Sequence, residues 1–265
     1  MVVAVGGDGT VRACAQVLAG TEVPLAIVPA GSANLTACAL RIPLRQTAAL
    51  GVAFGGRDRR IDLATADGQV FTAMAGIGVD AAVVGATPDR AKLVAGWPAY
   101  ALAAVGQLRH RPAIFTVRID GGPELLRSAC SVAVGNSGEL PGGFPVMPAA
   151  RLDDGLLDVA ILAPAGPFGW PSIGFRVVAR SSRDDRYLER YRARTVQIGA
   201  DRELPRQVDG ELIDPARSLT VSVRPGALTV RVPALRRGRS RQVAWSSGHS
   251  GCGISKPTSW PHLLR

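Results

Sequence analysis

Apolar residues and glycines follow one another in a regular order at the start of the chain. Residues 2–5 are all apolar, which is typical of a strand buried on both faces of a sheet. A glycine-rich turn follows at residues 6–9, and residues 10–18 then show the apolar spacing of a helix. The pattern therefore predicts a strand, a tight turn and a helix in succession.

The same order is repeated once. Residues 24–28 predict a second buried strand, residues 29–34 form a polar loop, and a helix is expected to about residue 40. A further short helix at residues 44–54 ends at two glycines. Successive strand–loop–helix units indicate a parallel sheet, and the two loops should meet at the carboxyl ends of its strands. We therefore expect a Rossmann-like α/β domain over residues 1–58.

The pattern changes after residue 58. Residues 60–65 and 69–74 are strand-like and are joined by Asp67 and Gly68, which predicts a hairpin. An alanine-rich helix is expected after residue 80, and a second helix at 92–108 is apolar on nearly all sides. Burial is favoured for this second helix over contact with lipid tails, because helices that are apolar all round are usually buried.

Short strand-like runs separated by Gly, Pro and Asp turns fill most of the remaining chain. They lie at residues 113–119, 125–134, 156–162, 192–198, 219–223 and 228–232. Repeated short strands of this kind predict an all-β sandwich domain, here over residues 59–234. Periodicity is lost after residue 233, so residues 235–265 are predicted to be a disordered basic tail.

Much of the net charge is concentrated in that tail. The sequence of 265 residues has a formal net charge of +10, and residues 235–265 contain six basic residues and no acidic one. We expect no nucleic-acid partner, since the basic excess rests mostly on the tail. The four cysteines are far apart in sequence, which argues against a zinc site or a disulfide framework and favours a reducing, cytoplasmic compartment.

The first glycine-rich turn has the layout of a phosphate-binding loop. Glycines lack Cβ, so they permit a positive φ and let a bulky anion approach the main chain. Asp8 lies among three glycines, and Thr10 would add a hydroxyl and the dipole of a helix N-terminus. The alternative is an ordinary βα turn with Asp8 as a cap. Ser32 and Asn34 of the second loop could meet the same ligand, or cap the next helix.

Two acidic clusters in the predicted β region suit the chemistry of phosphate transfer. Asp154 lies in the turn Arg151-Leu-Asp-Asp-Gly-Leu156, where carboxylate and carbonyl oxygens would suit Mg²⁺. Asp209 and Glu211 flank a glycine, and a carboxylate placed there could act as a general base. Each cluster can also be interpreted as a plain turn, because Asp-Gly is common in turns.

Taken together, the motifs resemble the bacterial diacylglycerol kinase family of lipid kinases in order and approximate spacing. They are GGDGT at residues 6–10, PAGSAN at 29–34, VGN at 134–136 followed by PGG at 141–143, LDDGLLD at 152–158 and VDGE at 208–211. The resemblance extends from residue 1 to about residue 233. GGDGT alone also fits NAD kinases and phosphofructokinases, whereas the second loop and the late DGE favour the lipid kinases.

The resemblance implies a nucleotide-binding α/β domain and a larger β-sandwich, with the active cleft between them. It assigns ATP to the first two loops, through Gly6, Gly7, Asp8, Gly9, Thr10, Val11, Arg12, Ser32 and Asn34, where Ser32 replaces a more usual Thr. Asp154, assisted by the backbone carbonyls of Arg151 and Leu156, would hold a structural Mg²⁺. Glu211 would take the proton from the lipid hydroxyl, with Asp209 beside it, once the two domains close on each other.

The implied activity is that of an ATP-dependent lipid kinase acting on a diacylglycerol-like alcohol, as a peripheral protein at the inner face of a membrane. A sphingoid base or phosphatidylglycerol stays open as the acceptor, because the motifs concern the phosphoryl donor. An NAD kinase and a non-catalytic remnant are further alternatives, and a homodimer is left open. Members of the family begin with another βα unit, which is absent here and favours a clipped start, with an α/β domain incomplete at its N-terminus.

Overall fold

The computed structural model describes residues 1–78, 112–140, 144–145, 147–164, 169, 172–173 and 186–234. The two helices predicted after residue 80 and the predicted tail lie outside these residues. The chain divides into a compact unit, Met1–Ala234, and a second unit, Leu235–Arg265.

The first predicted strand, turn and helix are confirmed. β1 (Val2–Gly6) is followed by α1 (Asp8–Leu18), and β1 pairs in parallel with β2 (Leu25–Pro29) along its whole length. All of β2 is buried, as its apolar run predicted. α1 begins two residues earlier than expected, so Thr10 lies within its first turn.

β1 is not buried on both faces, as its apolar run had suggested. Ala4 is buried and belongs to the same apolar cluster as Val11 and Ala15 of α1. Val3 and Val5 point to the opposite face and are exposed, Val5 by 61%. β1 is the end strand of the sheet, α1 packs against one of its faces, and the described residues leave the other face exposed.

Two short helices and a hairpin complete this part of the chain. α2 (Leu35–Ala39) follows the second polar loop directly, and α3 (Gln46–Gly55) follows it. β3 (Arg57–Ala66) pairs with β4 (Gln69–Phe71) in antiparallel fashion, which confirms the predicted hairpin. Its turn residues, Asp67 and Gly68, have φ of 47° and 84°, as a tight hairpin turn requires.

The rest of the described chain is mostly strand. The strands are β5 (Met74–Gly78), β6 (Ala113–Ile119), β7 (Glu124–Ala129), β8 (Ser131–Gly135), β9 (Glu139–Leu140), β10 (Phe144–Pro145), β11 (Leu157–Leu162), β12 (Leu188–Ala193), β13 (Thr195–Val208) and β14 (Glu211–Val232). The run at 113–119 is confirmed to the residue as β6. The predicted α/β part followed by a β part is thus confirmed.

Three predicted strand boundaries are wrong, because strands change partner where the apolar pattern continues. The run at 125–134 is two strands, since β7 pairs with β6 whereas β8 pairs with β5 and β11. The run at 192–198 contains the end of β12 and the start of β13, which pair with different strands. Conversely, 219–223 and 228–232 belong to the single strand β14, whose pairing with β3 shifts register between Arg224 and Leu228.

Two long strands connect the N-terminal part to the β part. β14 pairs with β13 and β3 and makes a parallel contact with β2, while β13 also pairs with β5 and β6. One sheet path therefore runs in the order β1-β2-β14-β13-β5-β8-β11-β12. The turn between β13 and β14 carries the DGE motif. The domain boundary at residue 58 stays a prediction, since β3 and β14 belong to a sheet that includes both parts.

Candidate active site

The two predicted loops lie against each other at the carboxyl ends of β1 and β2. A Cβ on Gly31 would overlap the Cα of Gly7, and a Cβ on Gly7 would lie 3.1 Å from the Cα of Gly31. The backbone nitrogen of Ala30 also donates a hydrogen bond to the carbonyl of Gly6, at 2.9 Å. The loops therefore form one continuous surface through main-chain contact, which the absence of a Cβ permits.

The glycines of the first loop allow close approach and do not adopt a positive φ. Gly7 has φ −92°, and the positive φ angles of the described chain do not include Gly6 or Gly9. A Cβ on Gly9 would lie 2.5 Å from Oε1 of Glu211. The expectation of positive φ in this loop is therefore wrong, because α1 already begins at Asp8 and the chain turns without left-handed backbone.

Asp8 caps a helix, but not its own. Its carboxylate accepts hydrogen bonds from the backbone nitrogens of Leu35, at 3.1 Å, and Thr36, at 3.2 Å, at the start of α2. The side chain is buried, and burial raises the pKa of its carboxyl while these hydrogen bonds oppose the rise. Asp8 thus fastens the first loop to the helix that follows the second loop.

The other predicted ligand-binding residues of the two loops differ in exposure. The exposed side chain of Thr10 packs over Gly6, whereas Val11 is buried in the core and offers only its backbone. Ser32 is exposed at the loop surface. Asn34, with φ 49°, closes its own loop, because its amide oxygen accepts from Gly31 N at 3.0 Å and its amide nitrogen donates to Gly31 O at 2.6 Å.

Glu211 meets the first loop, although the two are about two hundred residues apart in sequence. Its carboxylate forms an ion pair with the guanidinium of Arg12 and lies beside Gly9. Arg12 also donates a hydrogen bond to the carbonyl of Val208, at 3.1 Å. The Glu211 side chain is 53% exposed and that of Arg12 is 21% exposed, so the carboxylate is accessible from solvent. The structure thus brings Arg12, Gly9 and Glu211 together.

Asp209, two residues before Glu211, is buried and points away from solvent. One carboxylate oxygen accepts from the Thr72 backbone at 3.0 Å and the Thr72 hydroxyl at 3.2 Å. The other accepts from the backbone nitrogens of Ala73, at 2.8 Å, and Met74, at 3.0 Å. Burial raises the pKa of Asp209 to about 6, against the lowering effect of these hydrogen bonds. Asp209 therefore holds the turn in place beneath the accessible carboxylate.

The predicted metal residues lie elsewhere in the β part. Asp154 accepts a hydrogen bond from the backbone of Leu156 at 3.2 Å and forms an ion pair with Arg192. Asp158 lies behind them, with its Oδ2 buried and without a hydrogen-bond partner, 3.9 Å from Nε of Arg192. Burial raises the pKa of Asp158 to about 6, while Arg192 lowers it and Asp154 raises it. Arg151 is exposed, beside Asp153.

Several residues that position the site were missed in the sequence. Asp62 is buried on β3 and accepts from the backbone nitrogens of Gly155, at 2.6 Å, and Gly226, at 2.7 Å. Asn136, part of the VGN motif, donates from its side chain to the carbonyls of Asp62 and Thr72. Thr36 and Thr72 place their hydroxyls 2.6 Å apart. Nothing in local pattern marks Asp62 or Thr72, because their partners are distant in sequence.

The described residues were compared with the requirements of a membrane span and of a metal site made of side chains. None of their helices is long and apolar enough to cross a membrane. Nor, within the same part of the chain, do three or more His, Cys, Asp or Glu side chains converge as metal ligands. A cation at Asp154 would therefore rely on carbonyl oxygens or water in addition to carboxylates.

Two sequence families match successive parts of the chain. Residues 1–66 match the diacylglycerol kinase catalytic domain, and residues 73–232 match the YegS C-terminal NAD kinase beta sandwich-like domain. The second match covers more than half of the chain and agrees with the predicted sandwich. The two matches meet between β3 and β5.

Relatives and solved structures agree with these matches. A probable lipid kinase YegS-like from Pseudomonas fluorescens is 34% identical over 234 residues, which cover 87% of this chain and 77% of the relative. One from Pseudomonas aeruginosa is 35% identical over 237 residues, with 88% and 76% covered. The crystal structure of a candidate diacylglycerol kinase from Bacillus anthracis str. Sterne has a TM-score of 0.73 at 25% identity, and the match covers 87% and 77% of the two chains. The chain belongs to the YegS-like lipid kinase family.

Proposed function

We propose that this protein transfers the γ-phosphoryl group of ATP to the hydroxyl of a diacylglycerol-like lipid. The observation that carries the proposal is the position of Glu211, whose accessible carboxylate lies beside Gly9 and Arg12 of the first loop. Phosphoryl transfer needs a donor held by main-chain groups and a base for the attacking hydroxyl, both in one place. The family resemblance supplies the two substrates, ATP and a lipid alcohol.

The loops and α1 would bind the phosphates of ATP. The first-turn backbone nitrogens of a helix have no partner within the helix, and they make its N-terminus favourable for anions. α1 starts at Asp8, and the main chain before it has no Cβ at Gly6 or Gly7 to keep a phosphate away. Thr10 and Ser32 expose hydroxyls on the same surface. Asp8 and Asn34 act indirectly, because their side chains hold the loops in shape.

Glu211 would act as the general base. It takes the proton of the lipid hydroxyl, the hydroxyl oxygen forms a bond to the γ-phosphorus, and the bond from that phosphorus to the β-phosphate bridging oxygen breaks, so that ADP leaves. Arg12 pairs with Glu211 in the structure, and a bound phosphate would compete for this guanidinium. Asp209 touches neither substrate in this proposal, since it is buried beneath the turn. We assign it a positioning role.

Mg²⁺ would be held at Asp154, with the carbonyls of Arg151 and Leu156. The observation that favours a cation at this position is the buried Oδ2 of Asp158, which has no hydrogen-bond partner. Arg192 supplies a positive charge there in the structure, and its side chain is 44% exposed. A divalent ion supplies charge neutralisation for the surrounding carboxylates and stiffens the turn that it binds.

Several membrane lipids carry a hydroxyl that could accept the phosphoryl group. A sphingoid base or phosphatidylglycerol would present the same kind of hydroxyl to Glu211, so each remains a candidate acceptor. Such lipids lie in membranes, and we propose that the protein works as a peripheral protein at the cytoplasmic face of a membrane. NAD would present its hydroxyl on a polar nucleotide instead, and serves as the contrasting acceptor.

Labelled phosphate transfer from ATP tests the proposal. The parent and Glu211→Gln are assayed with Mg²⁺ on diacylglycerol, a sphingoid base and phosphatidylglycerol in mixed micelles, and on NAD. Loss of a general base typically slows such a step about a hundred- to ten-thousand-fold, and we expect that loss with unchanged ATP affinity.

Glu124→Gln is the matched control. Glu124 also pairs with an arginine, Arg118, and its side chain is 56% exposed, similar to Glu211. It should transfer phosphate at the parental rate. Equal rates for the parent and Glu211→Gln would eliminate Glu211 as the base. A parent that phosphorylates NAD and no lipid would overturn the lipid assignment.

A further inference from the structure

A continuous chain of side-chain contacts runs beneath the candidate active site. The backbone nitrogen of Thr36 donates a hydrogen bond to Oδ1 of Asp8 at 3.2 Å, and the Thr36 hydroxyl lies 2.6 Å from the Thr72 hydroxyl. The Thr72 hydroxyl in turn lies 3.2 Å from Oδ2 of Asp209. Both threonines are buried, Thr72 completely, so water does not compete for these contacts. The four residues come from α1, α2, the segment between β4 and β5, and the turn between β13 and β14.

The two ends of this chain return to the same point on the surface. Asp8 is followed by Gly9, and Asp209 precedes Glu211 by two residues. Gly9 and the Glu211 carboxylate are themselves in contact. The contacts therefore close a ring: from the first loop through Asp8, Thr36, Thr72 and Asp209 to the base and back to the loop. We expect a shift at one side of such a ring to be felt at the other side.

We propose that Thr36 and Thr72 are positioning residues of the phosphoryl transfer, and that their hydroxyl pair fastens the nucleotide loop to the turn that carries Glu211. This inference rests on the proposed function, because it assigns a purpose to the distance between loop and base. It adds that the distance between the first loop and Glu211 is fixed by the contact between Thr36 and Thr72, which touch neither substrate.

Two contacts of the chain depend on hydroxyl groups. They join the Thr36 hydroxyl to that of Thr72 and the Thr72 hydroxyl to Oδ2 of Asp209, so the two hydroxyls supply one proton to each contact. The link to Asp8 uses the backbone nitrogen of Thr36, which a change of the side chain leaves in place. Removal of either hydroxyl therefore breaks the connection between the two threonines and nothing else along the chain to Asp8.

Hydroxyl-free variants of the two threonines test the proposal. Thr36→Val and Thr72→Val keep the side-chain shape and remove the hydroxyl, while Thr36→Ser and Thr72→Ser keep it. We expect the valine variants to lose about ten- to a hundredfold in kcat with KM for ATP changed less than about threefold. The serine variants should stay within about threefold of the parent. The double valine variant should lose no more than the worse single one, because both break the same link.

Thr65→Val is the matched control for these variants. Thr65 Oγ1 lies 2.9 Å from the Ser222 hydroxyl, so this variant also breaks a hydroxyl pair, in the pairing of β3 with β14 away from the loops. A general cost of losing a hydroxyl pair would appear there too, whereas the proposal expects parental kcat. If the serine variants lost as much as the valine variants, or if Thr65→Val lost as much as Thr36→Val, the positioning role would be overturned.

Amide hydrogen exchange provides a second measurement that needs no lipid. ATP should slow exchange in the first loop of the parent and also in the turn at residues 209–211. In the valine variants the loop should still be protected by ATP, while the added protection of the turn is lost. A parent that binds ATP without protecting the turn, or valine variants that keep this protection, would overturn the coupling.

The phosphoryl-transfer assay and the amide-exchange measurement distinguish failure of the proposed function from failure of the coupling. If the parent phosphorylates no lipid but ATP protects the turn through the threonines, the proposed function fails and the coupling stands. If Thr36→Val does not fold, Thr36→Ala removes the hydroxyl with less bulk. Should no hydroxyl-free variant of either threonine fold, the pair belongs to the core alone and the proposal is wrong.

Discussion

Two Asp-Gly turns of this protein have the same dipeptide and opposite surroundings. Asp209 and Gly210 connect β13 to β14, and the carboxylate of Asp209 is buried among four donors from residues 72–74. Asp154 and Gly155 precede β11, and the carboxylate of Asp154 is partly exposed and pairs with the side chain of Arg192. The first carboxylate has three backbone donors and a buried hydroxyl, whereas the second has one backbone donor, Leu156, and an arginine side chain at the surface.

The difference assigns the two carboxylates different tasks. Backbone nitrogens that point at a buried carboxylate leave no room for a ligand, so Asp209 holds segments of the chain together. An arginine side chain at the surface can be replaced by another cation at little cost, because exposed ion pairs contribute only about 0–1 kcal/mol. The contrast agrees with the roles that we propose, in which Glu211 acts at the first turn and Asp154 itself acts at the second.

Asp209→Ala should have the largest effect on stability. It would leave three buried backbone nitrogens and the Thr72 hydroxyl without their acceptor, and each such loss costs about 1–3 kcal/mol. We expect the free energy of unfolding to fall by at least about 3 kcal/mol, measured by urea denaturation.

Asp67→Ala is the control, because Asp67 occupies an equivalent hairpin turn with φ 47°, close to the 48° of Asp209. Asp67 is more exposed, accepts one backbone hydrogen bond, from Thr220 at 2.9 Å, and pairs with the side chain of Arg206. Its loss should cost roughly 1–2 kcal/mol, through the left-handed backbone, one hydrogen bond and a partly exposed ion pair. If both variants lost the same free energy of unfolding, the burial of Asp209 would not contribute to stability, and the contrast between the two Asp-Gly turns would be wrong.

The pH dependence of stability is the next largest expected effect. The pKa of Asp209 is about 6 in the folded protein, above its ordinary value near 4 in the unfolded chain. The folded state therefore binds the proton more tightly. This contribution is fully present below about pH 4 and is lost as the pH rises through about 6, on the order of 3 kcal/mol in total.

Asp209→Asn sharpens this test, because asparagine keeps the shape and tolerates the backbone conformation. Asp158 has a similarly raised pKa, so the variant should lose about half of the parental fall in stability between about pH 4 and about pH 6. Urea denaturation across that range measures it. An unchanged fall in the variant would show that Asp209 does not hold a proton.

The contrast between the turns also shows how far the sequence could be interpreted. The Asp67-Gly68 hairpin, the strand at 113–119 and the loops at residues 6–9 and 29–34 could be predicted, because turn chemistry and apolar periodicity are local. The motifs were also sufficient to identify the family. In each of these cases the information lies within a few residues.

The burial of Asp209 could not be predicted, since its donors are more than a hundred residues away. The burial of Asp62 and the hydroxyl pair of Thr36 and Thr72 could not be predicted either, because their partners belong to other elements of the fold. The exposure of Val5 depends on which elements cover β1, which its own apolar run does not reveal. Strand boundaries failed for a related reason: β7 and β8 divide where their partners change, not where the pattern does.

Gly31→Ala tests whether ATP binding depends on the close contact between the two loops at residues 6–9 and 29–34. Its Cβ would overlap the backbone of Gly7, so the two loops must separate. We expect ATP affinity to fall at least about tenfold, or about 1.4 kcal/mol, by calorimetric titration.

Gly51→Ala is the matched control, because a Cβ at Gly51 in α3 would meet nothing within 4 Å. It should bind ATP as the parent does and gain up to about 1 kcal/mol of stability from helix propensity. Unchanged ATP affinity in Gly31→Ala would show that nucleotide binding does not depend on contact between the loops.

The smallest effect is expected at the second turn, and it should depend on the cation present. Without Mg²⁺, Asp154→Ala should cost about 1 kcal/mol, because it removes a partly exposed ion pair with Arg192 and one hydrogen bond from the Leu156 backbone. With millimolar Mg²⁺ the melting temperature of the parent should rise by a few degrees, since an ion that binds only the folded state stabilises it. Asp154→Ala should lose that rise.

Asp153→Ala should keep the rise in melting temperature, because Asp153 pairs with Arg59 at 2.6 Å, on the same turn but outside the proposed ligand set. Arg192→Ala removes the competing cation, so it should bind Mg²⁺ several-fold more tightly than the parent. Equal Mg²⁺ responses in Asp154→Ala and Asp153→Ala would place the ion elsewhere. No response in the parent together with none in Arg192→Ala would leave arginine as the cation that this turn holds.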